Sequence, residues 1–221
     1  MAGLGVIGIA AIALMASASP LARWTLAETL APQRVLPLLG LGAAFGMGGA
    51  RTLGAAFLLL GVGLIVGFAA QDRLLQMLDV FPQAAIHLFM TGPISYLAAG
   101  AALASGKRLG TWLTPITALV VGAMLALVIK LTDPSLREPA YTWTPVLIAF
   151  WIVGGVSMTL RAFWRSWFAI FGRILGSWLL AIGLLYGGAS LVPKRQPPPA
   201  APLPEFNQPI PGFPGKDQQQ P

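Results

Sequence analysis

Hydrophobic and polar positions in this chain segregate over whole helices rather than over single residues. Six uncharged runs, at 35–50, 52–70, 84–105, 109–129, 141–160 and 174–192, are separated by short charged breaks. About 20 apolar residues cross the hydrocarbon layer of a bilayer, and most of these runs approach that length. The stretch 84–129 is the centre of the pattern. It reads as two apolar helices joined by the basic turn Ser105-Gly106-Lys107-Arg108. The fold class predicted is an all-α integral membrane protein, a bundle of six to seven transmembrane helices.

The seventh helix depends on residues 1–22, which carry no charge. Their apolar centre is followed by Ala16-Ser17-Ala18-Ser19-Pro20, small residues that suit cleavage of a secretory signal near Ala18. No Lys or Arg precedes that centre, as a signal would have it. The segment therefore reads as a signal peptide or as a retained first transmembrane helix, and both readings stand. Residues 23–193 form the helical membrane domain. Within it, 21–34 is polar enough for a loop or interfacial segment, with Trp24 at headgroup level. Leu74, Leu75, Leu78 and Phe81 make 71–83 a one-sided surface helix. Residues 130–140, with Asp133-Pro134 and Glu138-Pro139, read as a loop. Arg161, Arg165 and Arg173, interleaved with aromatic residues, read as a helix at the headgroups. Trp112 is a further interfacial anchor.

Glycines four apart recur in the apolar runs: Gly42 and Gly46, Gly63 and Gly67, and Gly172 and Gly176. Small residues at this spacing let helix backbones approach closely, so helix packing is their expected role. Pro93 is expected to bend its helix and free the carbonyl of Phe89, with Thr91 and Ser95 available to satisfy it.

Composition agrees with the pattern. Of 221 residues, 56% are hydrophobic and 10% charged, and the mean hydropathy is +0.75. A soluble domain carries about 25% charged residues. There are no cysteines, so disulfides and thiolate metal sites are excluded. The net charge of +7 comes from basic residues placed singly or in pairs beside apolar runs. That placement suits membrane orientation and lipid headgroups, not nucleic acid. Residues 194–221 are dominated by Pro and Gln and read as a disordered tail.

The breaks also differ in charge. One set holds Arg51, Lys107, Arg108, Arg161, Arg165 and Arg173 without a single Asp or Glu; the opposite set and the tail hold all seven acidic residues. The acid-free side is assigned to the cytoplasm. This places the protein in the plasma (inner) membrane with its C-terminal tail outside.

Candidate chemistry is sparse. His87 is the only histidine, and Met90, one turn on, is the one neighbour that could share a soft metal with it. Two ligands leave such a site incomplete, so polar packing is the expected role and no metal site or cofactor is assigned. No carboxylate falls within an uncharged run, against the habit of proton-coupled carriers. Ser95, Thr91, Thr114 and Thr117 are expected to satisfy backbone groups. No catalytic motif is present, so no enzyme activity is expected.

The stretch Leu36-Pro37-Leu38-Leu39-Gly40-Leu41-Gly42, then Gly48-Gly49-Ala50-Arg51 and 57–67, resembles the hydrogenase/urease accessory membrane proteins of the HupE/UreJ type. Arg173-Ile174-Leu175-Gly176, Ala181 and Gly183 are similar as well, as is the plan of a signal-like segment and six helices. The resemblance implies nickel or cobalt uptake through His- and Asp-bearing helix motifs. This chain lacks those motifs, so no metal ligand carries over. The leading expectation is a small non-enzymatic accessory or assembly component of a membrane complex, whose partners are the bilayer and other membrane subunits. The alternative is a permease-like transporter of nickel, cobalt or a small solute. A membrane enzyme is third.

Overall fold

The computed structural model describes residues 20–70, 73, 76, 87–132, 139–163, 165 and 167–191. Seven helices are present among them and no strand: α1 Pro20–Thr29, α2 Pro32–Met47, α3 Ala50–Ala69, α4 His87–Ala104, α5 Gly106–Thr132, α6 Pro139–Ala162 and α7 Phe168–Leu191. The predicted all-helical class is observed. Four helices contain stretches long and apolar enough to cross a membrane, of 20 residues in α3, 25 in α5, 21 in α6 and 22 in α7. The 16-residue α2 and the helix α4 fall outside that set.

Local sequence explains where the helices break. Pro32 opens α2, at a position whose backbone N–H would have had no helical partner. Gly48 and Gly49 then leave the helical region in extended conformation, and α3 begins at once. The basic turn predicted at 105–108 is observed, tighter than expected: Ser105 turns, Gly106 takes φ +67°, and α5 starts there. That left-handed conformation costs a side-chain-bearing residue about 1–2 kcal/mol.

Three helix pairs build the bundle: α3 along α5, α4 along α7, and α2 along α6; α4 also packs on α5 and α2. Each of the three has a glycine seam. A Cβ on Gly63 would fall on the carbonyl oxygen of Leu119, and one on Gly122 on that of Leu60. One on Gly176 would stand 2.8 Å from the Ala104 nitrogen, and one on Gly46 2.9 Å from the Ser157 oxygen. The packing role expected of Gly42, Gly46, Gly63, Gly67 and Gly176 is therefore observed. Gly172 instead meets the Met47 side chain. Lipid tails are as apolar as leucine, so such helices associate by van der Waals packing rather than by expulsion of water.

This unit is apolar outside as well as inside, unlike a water-soluble bundle. Thr52, Thr91, Thr114, Thr117 and Ser157 are buried, whereas Ile65, Trp112, Leu147, Trp178 and Leu185 are all more than 60% exposed. Several buried or half-buried hydroxyls bond within their own helix: Thr117 donates to the Thr114 carbonyl at 3.0 Å and Ser157 to Gly154 at 3.0 Å. Water-soluble monomers rarely leave large apolar side chains exposed over so much of the surface.

Several expectations are corrected. Of the loop and the interfacial segment expected at 21–34, the loop is corrected: residues 20–29 form a helix packed on α6, with Thr25, Leu26 and Thr29 buried. Thr29 donates its hydroxyl to the Thr25 carbonyl at 2.6 Å, so its buried oxygen is satisfied within the helix. Lys130 and Thr132 extend α5, and Pro139 already belongs to α6. Among the described residues no separate headgroup helix follows α6: Phe163 and Trp167 are in turns, and Phe168, Phe171 and Arg173 are in the first turns of α7. Ser95 donates to the Thr91 carbonyl at 2.8 Å rather than to that of Phe89. The first segment, the tail and most of 71–83 lie outside the described residues; within 71–83, Arg73 and Gln76 are helical and exposed.

Candidate functional site

Long-range contacts tie helix termini together at two ends. One end gathers 29–34 and 130–132, tied by Arg34 Nη2 donating to Thr132 Oγ1 at 3.2 Å. The other gathers 47–50, 104–106, 161–163 and 167–168, tied by Arg161 Nη1 donating to the Gly48 carbonyl at 3.0 Å.

At the first end, a cavity of about 280 Å³ lies among α1, α2, α4, α5 and α7. Its charged wall is an ion pair. Arg34 Nη2 stands 2.7 Å from Glu28 Oε1, with side-chain exposures of 9% and 32%. This is the one ion pair among the described residues, and Glu28 their one carboxylate. The Thr132 hydroxyl that accepts from Arg34 donates to the Val128 carbonyl at 2.7 Å, so its orientation is fixed from within α5. A guanidinium carries five N–H donors. The two bonds above both use Nη2, which leaves the Nη1 and Nε faces without a protein acceptor among the described residues.

The facing wall is aromatic and hydroxylated. Tyr96 donates to the Pro32 carbonyl at 3.3 Å, and its ring stacks on Tyr186 with centroids 6.4 Å apart and planes 3° from parallel. This pins α4 to the start of α2 and to α7. Pro37 and Pro93 both border the cavity. Each lacks an N–H and clashes with the carbonyl four residues earlier, so each removes a hydrogen bond from its own helix. Two interrupted helices thus meet at one charged cavity. No model of a protein family, no curated protein and no solved structure matches this chain.

The residues singled out from sequence distribute unevenly over this site. Thr91, Pro93 and Ser95 line it. Thr114 and Thr117 do not; they are buried in α5 toward its other end. His87 opens α4 as described, while its side chain and that of Met90 lie outside the described residues. Among the described residues, no three metal-ligating side chains gather.

Sequence reading missed the ion pair and the tyrosines. Glu28 and Arg34 were assigned to an interfacial segment because charge between apolar runs usually marks a solvated break. The signal available was their spacing: two opposite charges six residues apart, bracketing the Pro32 helix start. Tyr96 and Tyr186 carry no local signal, since the 90 residues between them hide the stacking.

Proposed function

We propose that this chain is a multi-pass integral membrane protein, non-enzymatic and permease-like, that binds a small polar solute in the cavity walled by Glu28 and Arg34. In this reading α2 to α7 cross the bilayer. The short α2 is compatible with crossing because it is sheathed by α4 and α6. The observation that carries the solute-binding role is the half-buried ion pair on a cavity bordered by two proline-interrupted helices. Buried charge facing a cavity within a membrane bundle is costly and typically functional. An Arg whose Nη1 and Nε donors meet no acceptor among the described residues, beside a carboxylate, offers complementary contacts to a solute carrying both charges, such as an amino acid. The sequence alone favoured an accessory role for want of internal charge; the Glu28–Arg34 pair supplies that charge and reverses the preference.

The test is ligand-dependent thermal stabilisation of the purified full chain in detergent, against a panel of amino acids, small carboxylates, amines, nickel and cobalt. Stabilisation by a zwitterion, lost in Arg34→Gln, supports the reading. A flat panel would favour the accessory role, for which the exposed apolar face of α7, including Ile174 and Trp178, offers a surface to another membrane subunit. Co-purification of a stable larger assembly in mild detergent would then be expected.

Membrane integration is checked separately. Alkaline carbonate should leave the chain in the membrane pellet, because apolar side chains cover the outward faces of α3, α5, α6 and α7. Recovery in the supernatant would defeat the proposal. The acid-free end is assigned to the cytoplasm on the Lys and Arg placement, which puts the tail on the outer side of the inner membrane.

A further inference from the structure

The opposite end of the unit holds a second, larger cavity of about 780 Å³, between the α2–α3 break, the α4–α5 turn and the adjoining ends of α6 and α7. Arg108, Arg161 and Arg173 line it, and among the described residues no carboxylate does. The three connections at this end carry no Asp or Glu anywhere in their sequence, so a counter-charge from these connections is excluded. Three cations around one cavity repel one another unless an anion joins them.

Two of the guanidinium groups, those of Arg161 and Arg173, have defined contacts. Arg161 is held to the Gly48 carbonyl through Nη1, which uses one of its five donors. Arg173 approaches the turn so closely that a Cβ on Gly106 would stand 3.3 Å from its Nη2. Other parts of the lining are apolar, including Met47 and Leu103.

From this arrangement we infer that the cavity binds a phosphate group carried on an apolar body, with the phosphate among Arg108, Arg161 and Arg173 and the body on Met47 and Leu103. Arginine suits this chemistry because its planar fork matches phosphate oxygens two at a time. The phosphate has two possible sources, an anionic phospholipid headgroup and a soluble phosphorylated molecule. The inference is independent of the solute cavity at the other end, and its failure would leave that reading intact.

The experiment uses the full chain, purified and stripped of lipid in neutral detergent. Retention of phosphatidylglycerol against phosphatidylcholine is read by native mass spectrometry, and stabilisation by inorganic phosphate by thermal unfolding. The expected result is binding of at least one phosphate probe, weakened about tenfold or more in Arg108→Gln/Arg173→Gln, since each charge-assisted hydrogen bond is worth about that much. Preference for phosphatidylglycerol identifies the lipid source. Stabilisation by inorganic phosphate without lipid preference identifies the soluble one. Arg51→Gln, exposed but not lining the cavity, should bind as the wild type does. Arg108→Gln alone, a change at an exposed side chain, repeats the test if the double variant fails to fold. The inference is overturned if neither probe binds the wild type, if the cavity variants bind undiminished, or if Arg51→Gln loses as much as they do.

Discussion

Gly122→Ala is expected to destabilise the folded chain by roughly 1–2 kcal/mol, although helix propensity alone favours the substitution. Alanine is better than glycine inside a helix by about 1 kcal/mol. At Gly122 the added methyl would fall on the Leu60 carbonyl oxygen and stand 3.1 Å from the Leu64 nitrogen. Those are backbone atoms of α3, which cannot step aside as a flexible side chain can. The methyl would part α3 from α5 over the turns where Gly63 and Gly67 also touch. Overpacking of this kind costs about 1–3 kcal/mol, more where backbone must shift, so the clash exceeds the propensity gain. Gly54→Ala is the matched control in α3, where a Cβ would meet nothing within 4 Å; it should be neutral or slightly stabilising. Thermal unfolding in one detergent, followed by tryptophan fluorescence, compares them. Equal behaviour of the two variants would mean that α3 and α5 do not pack through this seam.

The second large effect is expected at the ion pair, and it should be unequal. Glu28→Ala leaves Arg34, only 9% exposed, without its counter-charge, whereas Arg34→Ala leaves Glu28, 32% exposed, in partial contact with solvent. Breaking a fully buried pair costs about 3–5 kcal/mol, and an exposed pair is worth about 0–1 kcal/mol. This pair lies between, so roughly 2–3 kcal/mol is expected for Glu28→Ala and about 1–2 kcal/mol for Arg34→Ala. The double variant should fall near the Arg34→Ala value, because the stranded charge is then gone. Both single variants should also abolish stabilisation by whichever solute the wild type binds. Additive losses in the double variant would show that the two side chains do not act as a pair.

These two sites differ in how far they could be read in advance. The seam at Gly63 and Gly67 was legible because close helix approach requires small residues at a fixed spacing on one helix face, and spacing is a local property. The turn at Gly106 was legible for the same reason, since a tight reversal needs glycine in its sequence. The ion pair was not. A charge at the edge of an apolar run looks the same whether it faces water or a cavity, and only the folding of α1 onto α6 distinguishes the two. The continuation of α7 back through Phe168 was also hidden, because arginines and aromatic rings among apolar residues suit a surface helix and the first turns of a crossing helix equally.

The amino-acid sequence by itself determined that the described chain is helical, where its principal breaks lie, and that its charges divide into an acid-free set and an acid-bearing set. Each is set by short-range chemistry: apolar run length, glycine and proline placement, and the residues in each connection. Tertiary structure alone decided that α3 pairs with α5, α4 with α7 and α2 with α6. It also brought Arg34 against Glu28 and Thr132, 98 residues away, and set Arg108, Arg161 and Arg173 around one cavity. The reason is that helix faces of similar apolar character have many possible partners. Which ones meet depends on the fit of side chains and glycine seams across the whole bundle, a property that no single stretch of sequence contains.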